Sequence, residues 1–135
     1  MKTIAIANQK GGVSKTTTAL SLADGLRHCG YKVLFVDIDP QCNSTGTYGA
    51  QIKGETTLYD LMGGSCTTNE AIQKTEFGDI IAGDPLLSEL ESKLQTKIGG
   101  YYILKKAFKT ENSYSQFQTF DDVHNLAEEG TFKYE

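Results

Sequence analysis

Lys10-Gly11-Gly12-Val13-Ser14-Lys15-Thr16-Thr17 is the stretch whose reading decides the fold. Before it lies an apolar run, Thr3-Ile4-Ala5-Ile6-Ala7, and after it an amphipathic run from Thr18 to Cys29. An apolar strand, a glycine-rich loop and a helix, in that order, are what a phosphate-binding loop needs. Backbone N–H groups of the loop and of the helix N-terminus converge on one point, and the helix dipole adds roughly half a positive charge there. Adjacent glycines let the backbone approach an anion with no Cβ in the way. Lys15 is then expected to neutralise β/γ-phosphate charge and the Thr16 hydroxyl to ligate Mg²⁺. The spacing departs from the standard G-x-x-x-x-G-K-[ST] loop, because Gln9 and Ser14 stand where glycines are expected. It fits the deviant form K-G-G-x-x-K-[ST], whose extra lysine is Lys10.

Outward from the loop, residues 3–7 read as a buried strand. The following helix places Ala19, Leu22, Ala23 and Leu26 on one face, and Gly30 is suited to end it at C′. Lys32-Val33-Leu34-Phe35-Val36-Asp37 is the continuous apolar run of a parallel strand covered on both faces. Together these predict a right-handed βαβ unit. The second strand runs into Asp37-Ile38-Asp39-Pro40-Gln41. Ligands of open α/β sheets bind beyond the carboxyl ends of strands, and carboxylates two residues apart point the same way if the strand persists. Asp37 and Asp39 are therefore expected beside the phosphate loop.

These residues closely resemble the ParA/Soj/MinD class of deviant Walker ATPases. The loop with Ile6-Ala7-Asn8-Gln9 before it carries the likeness, together with Val36-Asp37-Ile38-Asp39-Pro40-Gln41. Asp-Pro-Gln followed by Asn43 and Thr45 is most similar to the ParA branch, which partitions plasmids and chromosomes. Thr57-Leu58-Tyr59-Asp60-Leu61 resembles a short helix of the family, and Asp79-Ile80-Ile81-Ala82-Gly83 its third strand. The resemblance implies an α/β fold: a P-loop parallel sheet flanked by helices, incomplete, with about three strands of the family sheet. It covers residues 1–109, and residues 110–135 form a divergent tail.

The resemblance also implies ATP and Mg²⁺ as cofactors and a dimer with two nucleotides sandwiched between subunits. Lys10, Lys15 and Asp39 take the catalytic roles. Lys10 reaches the partner's phosphates in trans, as an arginine finger does, and Asp39 positions the attacking water. Gly11, Gly12, Val13, Ser14, Lys15, Thr16 and Thr17 hold the nucleotide, and Thr16, Asp37 and Asp39 surround the metal. A ParB-like protein is the implied partner, alongside a second copy or a full-length ParA-like chain.

Two departures bear on function. The family places glycine where Ser14 stands, and a serine held at positive φ costs on the order of 1–2 kcal/mol. After its long helix the family continues into an apolar Walker B strand ending in aspartate, for which residues 110–135 offer no β-branched apolar run. The family's DNA-contacting surface lies in the half without a counterpart here, so non-specific DNA binding is not expected. A module that binds nucleotide or a full-length partner without catalysis is the alternative to an ATPase. The sheet edge left unpaired is expected to be covered by the tail or by a second chain.

Composition narrows the field. The 135 residues carry a net charge of −4, which argues against a generic basic nucleic-acid surface. No stretch approaches the ~20 apolar residues of a membrane span. Three cysteines, Cys29, Cys42 and Cys66, without metal-ligand spacing suit a reducing, cytoplasmic setting. Residues 41–56, rich in Gly, Ser, Thr and Asn, read as a mobile loop, either a γ-phosphate switch or a linker. Thr67 and Glu70 predict a capping box opening a short helix. Leu86, Leu87, Leu90 and Leu94 predict a helical stripe, resumed after Gly99-Gly100 by Ile103, Leu104, Ala107 and Phe108.

Overall fold

The computed structural model describes residues 3–7, 14–94 and 103–109. The described elements run α1 (Lys15–His28), β1 (Leu34–Val36), α2 (Asn43–Tyr48), α3 (Leu58–Gly63), α4 (Thr68–Ala71), β2 (Ile72–Thr75), β3 (Gly78–Ile81), α5 (Leu87–Leu94) and α6 (Ile103–Lys109). The strands form one mixed sheet of order β1-β3-β2. Strand β1 pairs parallel with β3, and β2 antiparallel with β3.

Side-chain alternation along the strands builds a layer on each face. Ile81 is fully buried with Leu58 and Leu61 of α3, Ala71 of α4 and Leu87 and Leu90 of α5, and Leu34, Val36, Leu104, Ala107 and Phe108 pack around them. Phe35 and Ile80, paired in register, take the other parity, and Phe35 meets Tyr48 of α2 with ring centroids 5.1 Å apart. Helices α1 and α2 pack on each other, and Ala23 is the buried residue of the α1 stripe. Truncating fully buried Leu58 to alanine would cost about 2–5 kcal/mol through lost transfer energy and the cavity left behind.

Helix α1 ends as its sequence predicts. Gly30 takes φ 85°, its N–H donates to the Arg27 carbonyl, and the Tyr31 N–H donates to the Leu26 carbonyl. This is the Schellman arrangement, and glycine carries the positive φ without a Cβ penalty. The Arg27 guanidinium donates to the Phe77 carbonyl, tying α1 to the two-residue turn of the β2–β3 hairpin. The capping box of Thr67 and Glu70 forms as expected, and the Thr68 hydroxyl donates to the Ala107 carbonyl at 2.8 Å, anchoring α6 to α4.

Four expectations need correction. Residues 3–7 belong to no strand, and Ile4 is 50% exposed. The third strand is instead β2, whose sequence Ile72-Gln73-Lys74-Thr75 carries too little apolar character to announce itself. An apolar run becomes a strand only where a neighbour offers matching N–H and C=O groups. A hairpin closed by two residues supplies that partner at small entropic cost. The sheet is accordingly mixed, and the parallel pair is β1·β3 rather than two strands joined through α1. Third, residues 43–48 are helical, with Ser44, Thr45 and Tyr48 buried, so the segment 41–56 is neither linker nor loose loop over that length. Beyond α2, the Gln51 N–H donates to Gln73 Oε1 at 2.8 Å, and Gln73 Nε2 donates back to the Gln51 carbonyl at 2.7 Å. Leu86 is 44% exposed and does not join the buried stripe of Leu87 and Leu90. The expected tail and what it covers lie outside the described residues.

Candidate functional site

Lys10, Gly11, Gly12 and Val13 lie outside the described residues, so the candidate loop enters the structure at Ser14. Ser14 sits in the left-handed region at φ 59°, ψ 27°, and its carbonyl accepts the Thr18 N–H at 2.9 Å, opening α1. Ser14 therefore carries the strain that its departure from glycine implied. As N-cap it makes no side-chain capping hydrogen bond, and the first turn of α1 holds no acidic residue. Lys15 and Thr16 are half-buried and Thr17 is exposed. The positive end of a helix dipole favours a negative group beside it.

Asp37 and Asp39 separate where the sequence placed them together. Strand β1 stops at Val36, so period-two alignment no longer binds the two carboxylates. Asp37 is 3% exposed. Its Oδ2 accepts the Thr45 N–H at 2.8 Å and the Thr45 hydroxyl at 2.7 Å, and its Oδ1 accepts the Asp39 N–H at 3.2 Å. Thr45 is the third residue of α2, whose own N-cap, Cys42, has no suitable oxygen on its side chain and makes no capping bond. Asp37 thus caps α2 from the end of a strand, placing a negative charge at a helix N-terminus where the dipole favours it. Asp39 is exposed, and its Oδ1 accepts the Gln41 N–H at 2.9 Å in an Asx turn closed by Pro40.

The end of β3 completes this rim. A Cβ built on Gly83 would lie 3.2 Å from Asp37 Cγ and from the carbonyl oxygens of Asp37 and Asp39. A side chain at this position would force these neighbours to give by a few tenths of an ångström. Asp84 follows, nearly buried, with Oδ1 accepting the Leu86 N–H at 2.8 Å and Oδ2 accepting the Thr57 hydroxyl at 3.1 Å. Burial pushes the Cys42 thiol above its ordinary value, and the carboxylates of Asp37, Asp84 and Asp39 add to the rise in that order.

Thr45, Gly83 and Asp84 were not singled out as site residues from sequence. One signal was available for Asp84: both prolines of the chain stand in Asp-Pro pairs, Asp39-Pro40 and Asp84-Pro85, and each pair follows shortly after one of the two parallel strands. Among the described residues, no group of three or more His, Cys, Asp or Glu is arranged to hold a metal ion. Asp37 Oδ1, which accepts the Asp39 N–H at 3.2 Å, retains the acceptor capacity of a protein oxygen suited to Mg²⁺, which takes most of its ligands from phosphate and water. No helix of the described residues is long and apolar enough to cross a membrane.

A family model described as an AAA domain matches residues 1–122. The chromosome partitioning protein ParA of Caulobacter vibrioides is 43% identical over 112 residues, covering 81% of this chain and 42% of that protein. The sporulation initiation inhibitor protein Soj of Bacillus subtilis is 39% identical over 111 residues, covering 80% of this chain and 44% of that protein. Among solved structures, cobyrinic acid a,c-diamide synthase from Mycobacterium smegmatis, with bound ADP and magnesium, superposes with a TM-score of 0.74 at 33% identity. That match covers 81% of this chain and 46% of the synthase. The chain spans less than half the length of the curated relatives it matches.

Proposed function

Because the chain belongs to the AAA-domain family of ParA- and Soj-type partition P-loop ATPases, we propose that it binds ATP with Mg²⁺ and hydrolyses it slowly, acting in plasmid or chromosome segregation. The observation that carries this reading is the start of α1, where Ser14 takes a left-handed conformation just ahead of Lys15 and Thr16. The superposed synthase, with its bound ADP and magnesium, supports the choice of ligand.

In this proposal the first-turn N–H groups of α1 and the Lys15 ammonium receive the phosphates. Thr16 and Asp37 would hold Mg²⁺, which would neutralise charge on the transferring phosphoryl group. Asp39, exposed at the end of β1, orients the attacking water. Phosphoryl transfer asks little covalent chemistry of a protein, so positioning and charge neutralisation suffice for these roles. Lys10 acts across a nucleotide-sandwich dimer on the partner's phosphates. A ParB-like protein is the proposed regulator.

Calorimetry of ATP binding by the chain, with and without Mg²⁺, tests the proposal. Mg²⁺-dependent binding that vanishes in Lys15→Ala is the expected result, and unchanged affinity in that variant sinks the assignment. Phosphate release that depends on Mg²⁺ and on Asp39 marks an ATPase. The strained Ser14 favours a second reading, a nucleotide-binding module without turnover. It predicts a nucleotide-dependent rise in melting temperature with no phosphate released.

A further inference from the structure

We propose that Thr45 and Gly83 are positioning residues that hold the Asp37 carboxylate in a single orientation for Mg²⁺. This assignment deepens the proposed function and rests on it. Three elements meet at the Thr45 hydroxyl, which is 1% exposed. Its single hydrogen goes to Asp37 Oδ2 at 2.7 Å, and its oxygen accepts the Gly83 N–H at 2.8 Å. The Thr45 N–H takes the same Oδ2 at 2.8 Å. An ionised carboxylate oxygen accepts about two hydrogen bonds. Oδ2 is thereby saturated, and Oδ1, with one contact at 3.2 Å from the Asp39 N–H, keeps acceptor capacity.

The relay runs from the end of β3 through α2 to the end of β1. A hydroxyl is the group it requires, since only a hydroxyl donates to Oδ2 and accepts from Gly83 at one atom. A methyl in its place strands a buried N–H and removes the shortest of the three hydrogen bonds that orient the carboxylate. Gly83 contributes by having no side chain, because a Cβ would press on Asp37 Cγ and on both flanking carbonyls at 3.2 Å. Neither residue reaches a ligand directly; each acts through Asp37.

The test is a Mg²⁺ titration of ATP binding by the full chain, run beside ATP binding in EDTA and thermal melting. Thr45→Val is expected to raise the apparent Mg²⁺ Kd about tenfold or more, the range found when a metal ligand loses its supporting partner. Any residual affinity for ATP in EDTA matches that of the wild type, and Thr45→Ser restores the Mg²⁺ response. A Mg²⁺ Kd unchanged in folded Thr45→Val overturns the assignment, as does failure of serine to rescue. Should Thr45→Val not fold, Gly83→Ala carries the same expectation with the hydroxyl intact.

A wild-type chain that binds no ATP overturns the proposed function instead. Amide hydrogen exchange without nucleotide then decides the relay. Gly83 exchanges faster in Thr45→Val if the relay exists, and equal exchange overturns it.

Discussion

Four described helices have resolved N-caps, and they begin in two different ways. Helices α3 and α4 are closed by full capping boxes, Thr57 with Asp60 and Thr67 with Glu70, each supplying both side-chain and backbone partners. Helices α1 and α2 open from left-handed residues, Ser14 and Cys42, that make no side-chain cap. The closed pair satisfies its own end groups with residues three apart. In the open pair, α2 is capped from a distance by Asp37, and α1 meets the chain where the phosphate loop enters. Helices α3 and α4 are thus closed by residues of their own first turns, whereas α2 depends on a carboxylate from the strand end. Positive φ at Ser14 and Cys42 also sets the open pair apart, and strain of this kind persists where surrounding structure holds it and clusters at functional sites.

The largest expected effect breaks the remote cap. Asp37→Ala leaves the buried Thr45 N–H and hydroxyl without their acceptor and should destabilise the chain by about 2–3 kcal/mol in urea unfolding, with no nucleotide present. Asp39→Ala, at an exposed Asx turn, should stay within about 0.5 kcal/mol of wild type. Equal losses in the two variants would mean that Asp37 is not a cap. A smaller effect tests the closed class. Thr57→Ala removes the α3 N-cap and the hydroxyl bonded to Asp84, for an expected cost of about 1–2 kcal/mol.

The strained class should respond in the opposite direction. Ser14→Gly and Cys42→Gly relieve left-handed strain against the entropy glycine adds to the unfolded chain, and each should gain about 0.5–1 kcal/mol. A loss of stability in either variant would show that the residue is not held at positive φ. The smallest effect is at Glu70, whose carboxyl is lowered from its usual 4.5 first by the Thr67 backbone N–H and then by the Thr67 hydroxyl. The unfolded chain then binds the proton first, so this contribution is present above 4.5 and disappears as pH falls through the lower folded value. The difference in melting temperature between wild type and Glu70→Ala should accordingly be present at pH 7 and shrink below 4.5.

Local signals in the sequence were read correctly where chemistry and geometry lie within a few residues. The stripe of α1, Gly30 at its C′ position and the Thr67–Glu70 box are of this kind, since the bonds they make span no more than five residues. Strand membership was less legible. Residues 3–7 are apolar yet lie in no strand, while Ile72-Gln73-Lys74-Thr75 is mixed and is paired along its length. Helix α2 was missed because Asn43-Ser44-Thr45-Gly46-Thr47-Tyr48 has poor helix propensity and its capping carboxylate comes from eight residues upstream of Thr45. At the site, Ser14, Asp37 and Asp39 were named from the motif. Thr45 and Gly83 were not, because their roles depend on a contact 38 residues apart in sequence.

By itself, the sequence determined the family, the glycine-rich stretch ahead of α1, and the residue types that can meet phosphate and Mg²⁺. Those properties reside in side-chain chemistry at short spacing. Tertiary structure alone decided that Asp37 turns inward while Asp39 faces solvent, and that β2 rather than residues 3–7 completes the described sheet. It also decided that the ends of β1 and β3 are joined through one threonine hydroxyl. Each of these depends on which distant donor or acceptor reaches a given group, and a hydrogen bond across the fold leaves no periodicity in the chain.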